Sequence, residues 1–129
     1  EVAAGQIKEL LEKDGVTPDH VTLSTDAFGS QPKFNEIGEC IGLTYASPKY
    51  LHQTVQSLVR RGLPLEEVLK MVTSTPADLL AKKGVKGCVA EGADADILVL
   101  GEELAIESLF MRGKTAVLNG KVLMKGRFE

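Results

Sequence analysis

The chain has 129 residues, 43% of them hydrophobic and 26% charged, with a formal net charge of −3. That length carries one core of ordinary size or a piece of a larger domain, and the slightly acidic balance gives no electrostatic reason for a nucleic-acid partner. No apolar run approaches the ~18 residues that span a bilayer, so no membrane partner is expected.

From the start of the chain, Val2, Ile7, Leu10 and Leu11 share one side of a helical wheel, with Lys8, Glu9, Glu12 and Lys13 opposite. Gly15 is a helix stop, and Thr17-Pro18-Asp19 a turn. Val21 to Thr25 is short, rich in β-branched residues and bounded by turn residues, as a buried strand is. Helix, turn and strand make half of a parallel α/β repeat. Residues 26–47 have no helical period, and Glu36-Ile37-Gly38-Glu39 can turn a small hairpin between Phe34 and Ile41. A connection that long inside a compact domain tends to be functional.

Ser47-Pro48 opens a helix carrying Leu51, Val55, Leu58 and Val59 inward as far as Gly62. A second helix starts after Leu63-Pro64, with Leu65, Val68, Leu69 and Val72 inward, and a third at Thr75-Pro76 runs to Lys83-Gly84. Beyond that point the texture turns to strands: Ile97 to Leu100, Ile106 to Met111, Thr115 to Leu118, then the hairpin signal Asn119-Gly120 and a return strand from Lys121 to Lys125. The chain therefore divides into an α/β part, 1–84, and a small β-rich part, 85–129.

The polar residue best placed for chemistry is Asp26, which follows the strand at 21–25 and begins the long connection. The carboxyl-end rim of a parallel sheet or barrel is where such folds put their chemistry. A carboxylate there can bind a divalent metal, act as a general base toward water, or do both; the plainer alternative is an Asx turn or a helix cap. Asp94 and Asp96, flanking a small residue in a Gly-rich turn, are better explained by turn chemistry and strand entry. Phe28 and Phe34 either wall a substrate pocket or bury the loop. Cys40 and Cys88, far apart and in no paired motif, read as reduced thiols.

Several stretches carry a resemblance that runs nearly the whole chain in order. Ser24-Thr25-Asp26-Ala27-Phe28-Gly29-Ser30-Gln31-Pro32 resembles the segment that ends the last barrel strand in isoaspartyl dipeptidases. Leu63 to Leu69, Thr73 to Ala77, and the ending from Arg112-Gly113-Lys114 to Arg127-Phe128-Glu129 are similar to the same family. Glu91 to Leu100 looks like a turn and strand common to many amidohydrolases, and so marks only the superfamily.

The resemblance implies an α/β fold: the C-terminal portion of a metal-dependent (β/α)8 amidohydrolase barrel in 1–84, its last strand and helices, followed in 85–129 by strands of a small accessory β domain. It implies zinc-dependent hydrolysis of β-aspartyl dipeptides in the cytoplasm, with two zinc ions in the parent enzyme. Asp26 would ligate one zinc ion and take the proton of the attacking water, and Ser30 would hydrogen-bond the dipeptide at a carboxylate end. The superfamily's site resembles four His, a carboxylated Lys and the Asp, whereas this chain offers only His20 and His52, with no His-x-His pair. Both are expected to be structural or solvent-facing, and the rest of the metal site to lie in other sequence. The isolated chain is accordingly expected to be inactive, and to form a homo-oligomer or pair with an N-terminal portion. The alternatives are another amidohydrolase of hydantoinase, dihydroorotase or deacetylase type, or a catalytically empty module for binding or assembly.

Overall fold

The computed structural model describes residues 2–13 and 15–126. The chain divides into two compact units, Glu1–Val72 and Thr73–Glu129.

In the first unit, helix α1 (Val2–Lys13) lies against helix α2 (Lys49–Arg60). Ala4 is the buried contact, while Ile7 and Leu11 are half-buried and Leu10 is exposed. The expected inward side chain of Val2 lies outside the described residues. Lys8 ties the two helices by donating to the carbonyl of Arg61 at 3.0 Å, where the last carbonyls of α2 need donors.

α2 begins as its Ser-Pro opening predicts, with Lys49 N donating to Ser47 Oγ at 3.3 Å. It ends in a Schellman motif: Leu63 N bonds to Leu58 O, Gly62 N bonds to Val59 O, and Gly62 has φ +93. Leu58 and Leu63, the two positions whose apolar side chains accompany this motif, are both buried. Helix α3 (Leu65–Lys70) starts after Pro64 and buries Val68, and with Met71, Val55, Val21 and Ala46 these residues make the core of the unit.

Residues 21–25 are the departure from expectation. They follow a single 3-10 turn at Pro18–His20 and run without regular structure, yet among the described residues they join no ladder. A parallel strand takes its hydrogen bonds from neighbouring strands. Here Leu23 N donates instead to Met71 O at 3.1 Å, and Val21 is buried.

The connection after Asp26 is an antiparallel hairpin of β1 (Ser30–Phe34) and β2 (Cys40–Tyr45), turned at residues 35–39 as the sequence suggests and longer than expected. Asn35 builds the turn by accepting from Ile37 N at 3.2 Å and Glu39 N at 2.8 Å through its side-chain oxygen. Every residue of both strands is exposed.

In the second unit, helix α4 (Ser74–Leu79) is shorter than the helix expected to run to Gly84. The chain leaves it through Ala81 at φ +55, with Lys82 N bonded to Ala77 O. A four-stranded antiparallel meander follows, in the order β3 (Ile97–Leu100), β4 (Ile106–Met111), β5 (Lys114–Leu118), β6 (Lys121–Val122). Two tight turns join its last three strands. Arg112-Gly113 has φ +49 and +76, and Asn119-Gly120 has φ +50 and +73, the positive pairs that a type I′ hairpin needs. No helix among the described residues is long and apolar enough to cross a membrane.

Candidate functional site

Asp26 and Ser30 bracket one tight turn at the base of the β1–β2 hairpin. Asp26 sits in the left-handed region at φ +47, which Asp tolerates better than most residues. Its carbonyl accepts from Gly29 N at 2.8 Å, so the backbone folds back on itself at once. Two further bonds lock the turn to the far strand, Phe28 N to Ala46 O at 2.9 Å and Ala46 N to Gly29 O at 3.1 Å.

The Asp26 carboxylate packs over the bare α-carbon of Gly29. A Cβ at that position would lie 2.6 Å from Asp26 Oδ2 and 2.9 Å from Asp26 O. Only a glycine leaves this space. Asp26 itself is exposed, and among the described residues no hydrogen bond or ion pair occupies its carboxylate. It is an oxygen donor free to meet a cation, a water or a substrate proton.

Ser30 opens β1 directly opposite Tyr45 of β2. Cross-strand neighbours project from the same face of a ladder, so Ser30 and Tyr45 share a side of the hairpin. Tyr45 stacks on Phe28, with ring centroids 6.3 Å apart and planes 20° from parallel. Neither Gly29 nor Tyr45 stood out in the sequence. The Gly three residues after Asp26 was a faint signal for a close approach, but Tyr45 lies far along the chain and only the register brings it beside Ser30.

The remaining polar candidates lie away from this turn. The His20 ring is engaged through Nδ1 with the Thr17 hydroxyl at 2.8 Å, and His52 is half-buried on α2. Among the described residues no group of three or more His, Cys, Asp or Glu could hold a metal ion. Asp94 and Asp96 both pair with the Lys86 ammonium, Asp94 at 2.8 Å, and Asp96 also accepts from Arg112 N at 2.7 Å. The hydrogen bond to Asp94, then that to Asp96, holds the Lys86 ammonium above the usual lysine range. The bond from Lys86, then that from Arg112 N, holds the Asp96 carboxyl below the usual carboxylate range. These three residues clip the turn before β3 to the β4–β5 turn.

The family model described as the Amidohydrolase family matches residues 4–123. Among solved structures, the chain is similar to a β-aspartyl dipeptidase from Fervidobacterium islandicum AW-1 in complex with β-Asp-Leu dipeptide. Identity is 35% over 98% of this chain and 33% of that one, with a TM-score of 0.81. A second β-aspartyl dipeptidase structure from the same organism is 29% identical over 96% of this chain and 29% of that one, with a TM-score of 0.74. An N-acetylglucosamine-6-phosphate deacetylase from Pasteurella multocida shares the fold, at 19% identity over 88% of this chain and 34% of that one, with a TM-score of 0.64. The chain thus spans about a third of the length of each. The α/β class expected from sequence holds: C-terminal barrel helices and the strands of a small accessory sheet.

Proposed function

The chain belongs to the amidohydrolase family, and on that premise we propose that the full-length protein hydrolyses β-aspartyl (isoaspartyl) dipeptides at the side-chain amide. The observation that carries this reading is the turn itself. An unpaired carboxylate is braced over Gly29, with Ser30 four residues on, in a chain 35% identical to a β-aspartyl dipeptidase.

Asp26 takes the proton of the attacking water as the new C–O bond forms, and returns it to the departing amine as the C–N bond breaks. Its left-handed backbone and the bare α-carbon of Gly29 leave the carboxylate room at the head of the turn, close to Ser30 in sequence. The Ser30 hydroxyl donates to a carboxylate of the dipeptide and orients it. The cofactor of this reading is zinc, two ions in the complete site; when bound, it polarises the scissile carbonyl and acidifies water. Asp26 fits as one oxygen ligand, and the described residues bring no second donor to it. Residues 1–84 are assigned to the barrel and 85–129 to the accessory β domain, and the protein to the cytoplasm.

The test is turnover of β-Asp-Leu by the full-length protein, beside a cyclic amide and an acetylated amino sugar. Cleavage of the dipeptide alone is expected, and Asp26→Asn should lower kcat by about a hundredfold or more with the circular dichroism spectrum unchanged. Substantial activity in Asp26→Asn removes the catalytic role of Asp26, and turnover of the cyclic amide or the sugar alone removes the dipeptidase reading.

A further inference from the structure

Phe28 lies between the two residues of the turn that carry the proposed chemistry, and it does so in an unusual way. It is a bulky residue at φ +64, a conformation that L side chains with large Cβ substituents rarely adopt. The surrounding backbone holds it there through the bonds of Phe28 N to Ala46 O and Ala46 N to Gly29 O. Outliers of this kind gather at ligand clamps, where the neighbouring structure compensates the strain. The result is a ring laid on Tyr45, with Phe28 still 74% and Tyr45 61% exposed. Stacking of this kind buries little of either ring, so folding gains little from it.

Position gives the pair a use. Tyr45 is the cross-strand neighbour of Ser30, so the stacked rings stand beside the Ser30 hydroxyl on the same face of the hairpin. The next pair on that face, Pro32 and Leu43, is apolar as well. A β-aspartyl dipeptide presents charged groups, an amide and one variable side chain. The charged groups call for partners such as Ser30, and the side chain of the second residue calls for an apolar surface nearby. We propose that Phe28 and Tyr45 form the wall that receives this side chain, so that they set the preference of the enzyme for dipeptides with a bulky apolar second residue. This rests on the dipeptidase reading above.

The experiment compares β-Asp-Leu with β-Asp-Gly, which has the same aspartyl half and no second side chain, in the full-length protein. Phe28→Asn, whose new residue is at ease at positive φ, and Tyr45→Thr should each lower kcat/KM for β-Asp-Leu about tenfold. Each should leave kcat/KM for β-Asp-Gly within about twofold, and Tyr45→Phe should retain the preference of the unaltered protein. An equal fall with both dipeptides would mean that the rings only support the hairpin, and an unchanged ratio would mean that the side chain binds elsewhere; either overturns the wall. If the unaltered protein cleaves neither dipeptide, the dipeptidase reading falls and the wall falls with it.

Discussion

The carboxylate of Asp26 owes its place to an absent atom. With no Cβ on Gly29, Oδ2 and the carbonyl of Asp26 occupy the space that a methyl group would fill. A carboxylate displaced by as little as 1 Å loses its aim on a reacting proton, which costs on the order of a hundredfold in rate. On the role proposed for Asp26, Gly29→Ala in the full-length protein should lower kcat for β-Asp-Leu by about that factor. The turn is exposed, so the melting temperature should fall by only about a few degrees. Near-normal kcat in Gly29→Ala would show that Asp26 does not depend on this packing.

Helix ends and turns carry most of the local instruction at the scale of elements. α2 and α4 both leave through a left-handed residue, but α2 uses Gly62 and α4 uses Ala81. The methyl group of Ala81 strains a position that glycine adopts freely, so Ala81→Gly should stabilise the protein by about 0.5–1 kcal/mol. Chemical denaturation reads this directly, and a loss of stability would place the Ala81 methyl in a useful contact. The Lys86–Asp94–Asp96 clip sets a pH dependence. The depressed Asp96 carboxyl contributes fully above the ordinary carboxylate range, and its contribution is lost as pH falls through the depressed value. The raised Lys86 contributes fully below the ordinary lysine range, and its contribution is lost as pH rises through the raised value. Melting temperature should accordingly hold a plateau between these limits, and Asp96→Asn should flatten the acid limb; an acid limb of the same slope would assign it to other carboxylates.

For the whole molecule, the decisive quantity is how much apolar surface these residues leave bare. Phe34, Ile37, Ile41 and Leu43 are all more than half exposed on the hairpin, and Ile97, Leu98 and Val99 are each about two-fifths exposed on β3. Surfaces of this kind seek cover. The isolated 129-residue chain is expected to self-associate, to bind less than stoichiometric zinc and to leave β-Asp-Leu intact. Native mass spectrometry with metal analysis checks all three. A monomer near 13.8 kDa at high concentration would count against the expected association, and zinc-dependent turnover by that species would show that one chain suffices.

The sequence by itself determined whatever rests on near neighbours. Ser47-Pro48 starts α2, Gly62 ends it, and Asn119-Gly120 turns β5 into β6, because capping and turn chemistry act over only a few residues. The motif from Ser24 to Pro32 also brought out Asp26 and Ser30 as candidates, since both lie within it. The tertiary structure decided what depends on register and close packing. It set Tyr45 opposite Ser30, pressed the Asp26 carboxylate onto Gly29, and bound Asp94 and Asp96 to Lys86 and to the β4–β5 turn. It also left residues 21–25 out of any ladder among the described residues, although they have the composition of a strand. Composition makes a segment fit for a sheet, but a strand forms only where another backbone offers the hydrogen bonds.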